Sequence, residues 1–288
     1  MKKINEKITR WIAYHEIIAT IIISVLCCAL YTFVICRGIT SPLMVIGGNI
    51  FVIYLVWRYV SYRKYNLINK AFDSLDRECD PNPLYEETTA LLKSMAHNKN
   101  NTQLFLMYQH NALTHMGEFE KAYHVISAVD VSKMSKKFIA SMSLLHTYYM
   151  FSLCDKMGRD EEATEWYNKL MDDYSAVRDP LTIGRVGRSI ENAKLIDLCR
   201  RGEFEEVLEL MEDSTTPTKL SEIMRSMRYA RCYIGIGDTE SAREQLEYVI
   251  ENGGKLYYVQ QAKEMLEALP AKSNELEDGS QKAAEEEN

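Results

Sequence analysis

The sequence predicts an all-α protein in which an N-terminal transmembrane helical hairpin precedes an α-solenoid of helix-turn-helix repeats. Three observations support this fold class. Two long uncharged apolar runs lie within the first sixty residues, a short glycine-centred phrase recurs four times further along the chain, and apolar residues spaced three and four apart precede these glycines. Such spacings place apolar side chains on one face of a helix.

The two apolar runs are long enough to cross a membrane. The first covers residues 17–36, and the second covers residues 42–57, with aromatic residues that extend it to 60. A helix of twenty residues is about 30 Å long, which is the hydrocarbon thickness of a bilayer. Because about five residues join the runs, we expect an antiparallel hairpin with transmembrane helices at 17–36 and 42–60. A cleaved signal peptide is the alternative, but the first run is too long and no small-x-small cleavage site follows it.

Positive charge is concentrated on both sides of this hairpin. Residues 1–64 carry a net charge of +6, whereas residues 65–288 carry −13. Four Lys or Arg precede the first run and four follow the second, while the connecting loop holds only Arg37. The positive-inside rule therefore predicts a cell-membrane protein with both termini in the cytoplasm, including the basic segment 1–16. The domain order suggests a bacterium, and the acidic body argues against nucleic acid as a partner.

The second span contains three residues that are unusual in an apolar run, Gly47, Gly48 and Asn49. Small residues let helices approach closely, and an amide in lipid needs a hydrogen-bond partner. We interpret the three residues as packing contacts of the hairpin or of its self-association. A polar group that binds or relays a ligand is the other interpretation. Candidate partners for Asn49 on the first span are Ser24, Cys28 and Thr32.

The recurring phrase reads MGEFEKA at 116–122, MGRDEEA at 157–163, RGEFEEV at 201–207 and IGDTESA at 236–242. Glycine accepts the left-handed conformation that ends a helix, and acidic residues after it stabilise the start of the next helix. A small residue one turn further lets the two helices pack closely. The phrase therefore predicts the corner of a helix hairpin, and its recurrence predicts stacked hairpins. The corner glycines are Gly117, Gly158, Gly202 and Gly237.

These corners resemble the turn of the tetratricopeptide repeat, in which glycine, an acidic or polar residue and an aromatic residue lead to alanine. Residues 117–122 and 202–207 carry the match, and the resemblance covers about residues 103–251. It implies a repeat domain over 103–269 that ends in a capping helix at 256–269. The chain departs from the family at His110, where a small residue is expected, and at Glu191 and Lys194, which fall at positions normally packed inside.

The resemblance also implies a binding surface, because the first helices of such repeats line a concave groove that holds a peptide or a partner's helix. The chain would then be a membrane-anchored scaffold or adaptor for a protein partner. The alternative is a regulatory or assembly subunit of a membrane enzyme or transporter, docked through the hairpin. The groove residues carried over by position are Met107, Asn111, Thr114, Tyr148, Ser152, Asn192, Met227 and Arg231.

The segments that flank the repeats fit this organisation. We expect linking helices over 65–102, in which residues 65–79 continue the second membrane helix and the two prolines of 80–83 stop it. A further helix is expected from residue 84. The polar and acidic segment 270–288 is predicted to be disordered.

The sequence offers no set of residues for catalysis, for a metal or for a cofactor. His110 and His115 form HxxxxH, and five residues turn a helix by about 140°, so the two imidazoles do not share a face. Neither a phosphate-binding loop nor a nucleophile elbow occurs, and the seven cysteines form no CxxC pair, as expected for free thiols. We therefore predict a protein that is not an enzyme. A hydrolase that uses His110 or His115 is the remaining alternative.

Overall fold

The computed structural model describes residues 2–35, 42–94, 99–212, 215 and 217–270. Over these residues the chain folds into thirteen α-helices and one short 3-10 turn, without a strand, which confirms the all-α prediction. The chain divides into two compact units, residues 1–194 and 195–288. The connecting loop that follows residue 36 and the predicted disordered tail from 271 lie outside the described residues.

The first unit begins with four helices: α1 (Lys2–Tyr14), α2 (Glu16–Ile35), α3 (Pro42–Glu78) and α4 (Asn82–Ser94). Helices α2 and α3 pack as an antiparallel pair, and α1 packs against α3 and α4. The 37 residues of α3 form one continuous helix, so the helix of the second apolar run continues beyond residue 65 as predicted. The basic N-terminal segment forms a helix of its own, α1, which was not predicted from the sequence.

The end of α3 is a turn without glycine. Cys79 has a positive φ of 55° and is fully buried, and the Asp80 amide donates to the Ser74 carbonyl at 3.2 Å. The carboxylate of Asp80 then accepts from the backbone N–H of Asn82 at 3.0 Å, which starts α4. Proline at 81 and 83 prevents α3 from continuing.

Helix pairs follow in the first unit: α5 (Lys99–His115) with α6 (Phe119–Ser127), and α7 (Ile139–Lys156) with α8 (Asp160–Ser175). A 3-10 turn at Val131–Lys133 joins the pairs. Helix α9 (Pro180–Arg201) comes next. The pairs share one apolar core, with partly buried aromatic side chains packed around it. Its buried residues include Met107, Leu113, Ala122, Ile126, Met150 and Leu153.

The second unit holds the end of α9, then α10 (Phe204–Glu212), α11 (Lys219–Ile236), α12 (Thr239–Asn252) and α13 (Tyr257–Ala268). Thr218 and Asp238 cap α11 and α12, each accepting a hydrogen bond from a backbone N–H three residues on. Helix α13 lies where the capping helix was predicted, and it packs against α12 and α11. The core of this unit includes Leu198, Val207, Met211 and Cys232.

Candidate functional site

Helices α2 and α3 expose most of their apolar side chains. Leu43 is 80% exposed and Ile17 is 73% exposed, and 11% of each helix's most apolar 18-residue window is buried. A water-soluble protein rarely exposes a continuous apolar surface of this extent. Both helices are long and apolar enough to span a bilayer.

The three unusual residues of the second apolar run have different surroundings. The Asn49 side chain donates from Nδ2 to the Thr32 hydroxyl at 3.2 Å, so Thr32 is its partner among the three predicted candidates. A Cβ at Gly48 would overlap the ring of Tyr31, whereas a Cβ at Gly47 would meet no atom within 4 Å. Gly48 and Asn49 therefore hold the two helices together, and Gly47 faces open space.

The four predicted corners have the same geometry. Each glycine has a positive φ between 68° and 83°, as expected for a residue that ends a helix in the left-handed conformation. The glycine N–H donates to the carbonyl three residues before it, and the next N–H donates to the carbonyl five residues before it, which is the Schellman pattern. The small residue after each corner is fully buried. These residues are Ala122, Ala163, Val207 and Ala242.

Six of the eight predicted groove residues are accessible. Five are half-buried, on the first helices α5, α7 and α9, and Arg231 on α11 is exposed and donates to Gln261 at 3.1 Å. Met107 and Met227 are only 4% and 2% exposed, so both belong to the helix cores and neither can contact a partner. The half-buried residues are Asn111, Thr114, Tyr148, Ser152 and Asn192.

The structure brings two of these residues together in the first unit. The Asn192 side chain on α9 donates from Nδ2 to the Tyr148 hydroxyl on α7. Tyr148 also lies against the ring of Tyr149, with ring centroids 5.5 Å apart. The first helices of two successive pairs therefore share a polar contact that combines an amide, a hydroxyl and aromatic surface.

The two histidines considered for catalysis or metal binding, His110 and His115, are both buried. His110 is buried and its Nδ1 lies 3.3 Å from the Ala122 carbonyl, which can only accept, so Nδ1 carries the proton. Burial lowers the pKa of His110 to about 4 and that of His115 to about 3. His146 on α7 contacts the Ile126 carbonyl through Nε2 at 3.1 Å. His110 occupies the position of the expected small residue because its imidazole bonds the facing helix α6.

A cluster between α1 and α4 was not predicted from the sequence. Glu87 is 5% exposed, and its two carboxylate oxygens are bonded by Arg10 Nη2 at 2.8 Å and by the Tyr14 hydroxyl at 2.5 Å. Burial and the hydrogen bond to Glu87 raise the pKa of Tyr14, so its hydroxyl remains a donor at neutral pH. No short-range motif marks these residues, because 73 positions separate Tyr14 from Glu87.

Comparison of the chain with protein-family models, with curated proteins and with solved structures found no match. Among the residues that the structure describes, no group of three or more His, Cys, Asp or Glu is placed to hold a metal ion.

Proposed function

We propose that this chain is a membrane-anchored adaptor whose helix pairs form a solenoid similar to tetratricopeptide repeats and bind a partner protein or peptide. The observation that carries the proposal is the repeated helix corner. Four glycines end a helix with the same positive φ and the same Schellman hydrogen bonds. Helix pairs with a common corner are the units from which such solenoids are built.

Anchoring rests on the exposed apolar surface of α2 and α3. The hairpin would span the cell membrane with both chain termini in the cytoplasm, because basic residues flank its two ends and only Arg37 lies between the runs. Helix α3 runs on without a break for 21 residues beyond Trp57. The helix pairs would therefore be held near the inner membrane face.

Binding would use the half-buried residues of the first helices. Asn111 and Asn192 can hydrogen-bond an extended backbone, and Tyr148 adds aromatic surface with a polar tip. Such an adaptor acts by raising the local concentration of its partner at the membrane, and its action needs no cofactor.

Cross-linking and pull-down from membranes test this proposal. Asn111→Arg on α5 and Asn192→Arg on α9 place a bulky charge on the proposed surface, whereas Asn168→Arg makes the same change at an exposed position on the second helix α8. We expect the first two variants to lose cross-linked partners and the third to keep them. Equal recovery of partners by all three variants would refute the adaptor proposal.

The second candidate is a regulatory or assembly subunit that docks on a membrane enzyme or transporter through its hairpin. The open space beside Gly47 favours it, because a glycine facing lipid gives a second helix close access. Gly47→Leu would then remove co-purified membrane proteins, whereas Ile46→Leu, a conservative change at a neighbouring exposed position, would not. Retention of those proteins by Gly47→Leu excludes docking at this face.

A further inference from the structure

A cavity of about 240 Å³ lies between α1, α3 and α4 in the first unit. Five residues of α3 line it, at 63, 66, 67, 70 and 71, and they follow the spacing of one helix face. The polar residues that line the cavity are Thr9, Arg10, Arg63, Asn66, Lys70 and Glu87.

The charge of this lining is positive. Arg10, Arg63 and Lys70 contribute three positive charges, and Glu87 contributes the one negative charge, which leaves +2 at neutral pH. Both oxygens of Glu87 are already bonded, to Arg10 and to Tyr14. Glu87 therefore fixes Arg10 at the wall of the cavity, and the other two cations have no carboxylate in the lining to neutralise them.

Arg63 is held in place before any ligand arrives. Its Nε and Nη2 donate to the Tyr59 hydroxyl at 2.9 and 2.7 Å, and the guanidinium lies 5.1 Å from the Tyr59 ring centroid. A guanidinium has five N–H donors, so Nη1 remains available. A fixed guanidinium loses little conformational entropy when it binds an anion.

The position of the cavity along α3 shows which sources of phosphate could reach it. At 1.5 Å per residue, Arg63 lies about 9 Å and Lys70 about 20 Å beyond Trp57 along α3. The headgroup layer is roughly 5–8 Å thick on each side of the hydrocarbon. Arg63 would therefore lie near the headgroups and Lys70 in the cytoplasm, so a lipid phosphate and a soluble phosphate are both within reach.

We propose that this cavity binds a phosphate group. A phosphate offers several oxygens in the geometry that guanidinium groups bind best, and the lysine adds a point charge. The cavity has room for a phosphate with part of its ester, and a whole peptide helix does not fit into it. A lipid source rests on the membrane placement proposed above, whereas binding of soluble phosphate does not.

The test uses the full chain in neutral detergent and in nanodiscs. Inorganic phosphate is titrated in detergent by phosphorus-31 NMR at low and at physiological salt. In nanodiscs of phosphatidylcholine with and without phosphatidic acid, native mass spectrometry counts the lipid that the released protein retains. Phosphate binding in detergent identifies a soluble source, and retention of phosphatidic acid identifies a lipid source; either supports the site.

Three variants test whether phosphate binds in the cavity. Arg63→Gln and Lys70→Gln are each expected to weaken binding about tenfold, the effect of losing one charge-assisted hydrogen bond. Arg77→Gln removes the same charge from the exposed far end of α3, where Arg77 lies 3.8 Å from Asp73, and should bind as the wild type does. Lys70 is exposed, so its substitution leaves the packing of α3 intact, which circular dichroism checks.

The proposal fails if neither phosphate nor phosphatidic acid binds, or if Arg77→Gln weakens binding as much as the two cavity variants do. These outcomes are separate from failure of the adaptor proposal. Extraction of the chain from membranes by alkaline carbonate would contradict anchoring, while the titration in detergent would still decide whether the cavity binds phosphate.

Discussion

At the scale of single residues, buried His110 links stability to pH. Burial lowers its pKa to about 4 in the folded chain from 6.5, so it is neutral when folded and takes up a proton on unfolding below pH 6.5. The unfolded state therefore binds more protons between pH 6.5 and 4, and stability falls as pH falls through this window. His115, with a pKa of about 3, contributes in the same direction.

We expect wild-type stability to drop by roughly 2 kcal/mol between pH 7 and pH 5 on account of His110 alone. His110→Asn keeps an N–H near the Ala122 carbonyl and removes the titration, so its melting temperature should fall less over this range. Exposed His124→Asn serves as the control and should follow the wild type. The explanation is wrong if His110→Asn shows the full wild-type drop, measured by thermal circular dichroism.

The corner glycines give a second prediction at this scale. Gly158 has a φ of 68°, and a Cβ there would meet no atom within 4 Å, so alanine adds backbone strain without a clash. Gly158→Ala should lower the free energy of unfolding by about 1–2 kcal/mol. Gly184 in α9 also has open space around it, so Gly184→Ala should raise stability by about 0.5–1 kcal/mol. A stabilising Gly158→Ala, measured by urea unfolding, would contradict the left-handed corner.

The structural roles of single residues differ in how well the sequence predicts them. The corner glycines were predictable, because a left-handed turn after an apolar helix depends on a few consecutive residues. Cys79 has the same left-handed backbone without glycine, and nothing in its neighbours signals it. Glu87 was unpredictable for another reason: its partners lie on α1, more than seventy positions away, and only the packing of α1 on α4 brings them together.

At the scale of helices, Phe204 shows what the aromatic residue of a corner does. It starts α10, and its ring occupies the space beside Gly235 on α11, so a Cβ at 235 would overlap the ring. Glycine within a helix normally lowers stability relative to alanine. Here the close approach of the two helices reverses that preference.

Gly235→Ala should therefore destabilise the second unit by about 1–3 kcal/mol, the usual cost of overpacking. Phe204→Leu combined with Gly235→Ala should recover part of the loss, since the smaller side chain leaves room for the methyl group. Gly187→Ala, at a helical glycine with open space around it, is the matched control and should not destabilise. Chemical denaturation of Gly235→Ala, Phe204→Leu and the double variant, each against the wild type, gives the coupling energy between the two positions. Additive effects would exclude the proposed contact.

The periodicity of the sequence predicted where helices form. It predicted less accurately which side chains of each helix face the surface. Successive residues in a helix are 100° apart, so a small error in repeat register moves a side chain from the surface into the core. Met107 and Met227 show this error, because both were placed on the groove by position and both are buried. Asn111, Tyr148 and Asn192 have polar groups that remain half-buried at the surface.

At the scale of the whole molecule, the order of charged and apolar segments predicts how the chain would be oriented in a membrane. Positive residues lie before the first apolar run and after the second, and the acidic remainder of the chain follows. Orientation in a membrane depends on where such charges lie along the chain, so it could be predicted without any tertiary contact. The proposed phosphate-binding cavity, by contrast, forms only when α1, α3 and α4 pack together. Arg10 is far from Arg63 and Lys70 in the sequence, so the sequence alone does not predict the cavity.

The predicted orientation can be tested with single cysteines in a chain whose own cysteines are replaced. Asp173→Cys and Glu251→Cys place an exposed thiol in each compact unit, and Ser41→Cys places one in the segment between the apolar runs. If basic flanks hold both termini in the cytoplasm, an impermeant maleimide should label residue 41 on intact spheroplasts, and residues 173 and 251 only after the membrane is opened. Inverted vesicles should give the opposite pattern, which controls for thiol reactivity. Labelling of 173 or 251 from outside intact cells would place the helix pairs on the wrong side for a cytoplasmic adaptor.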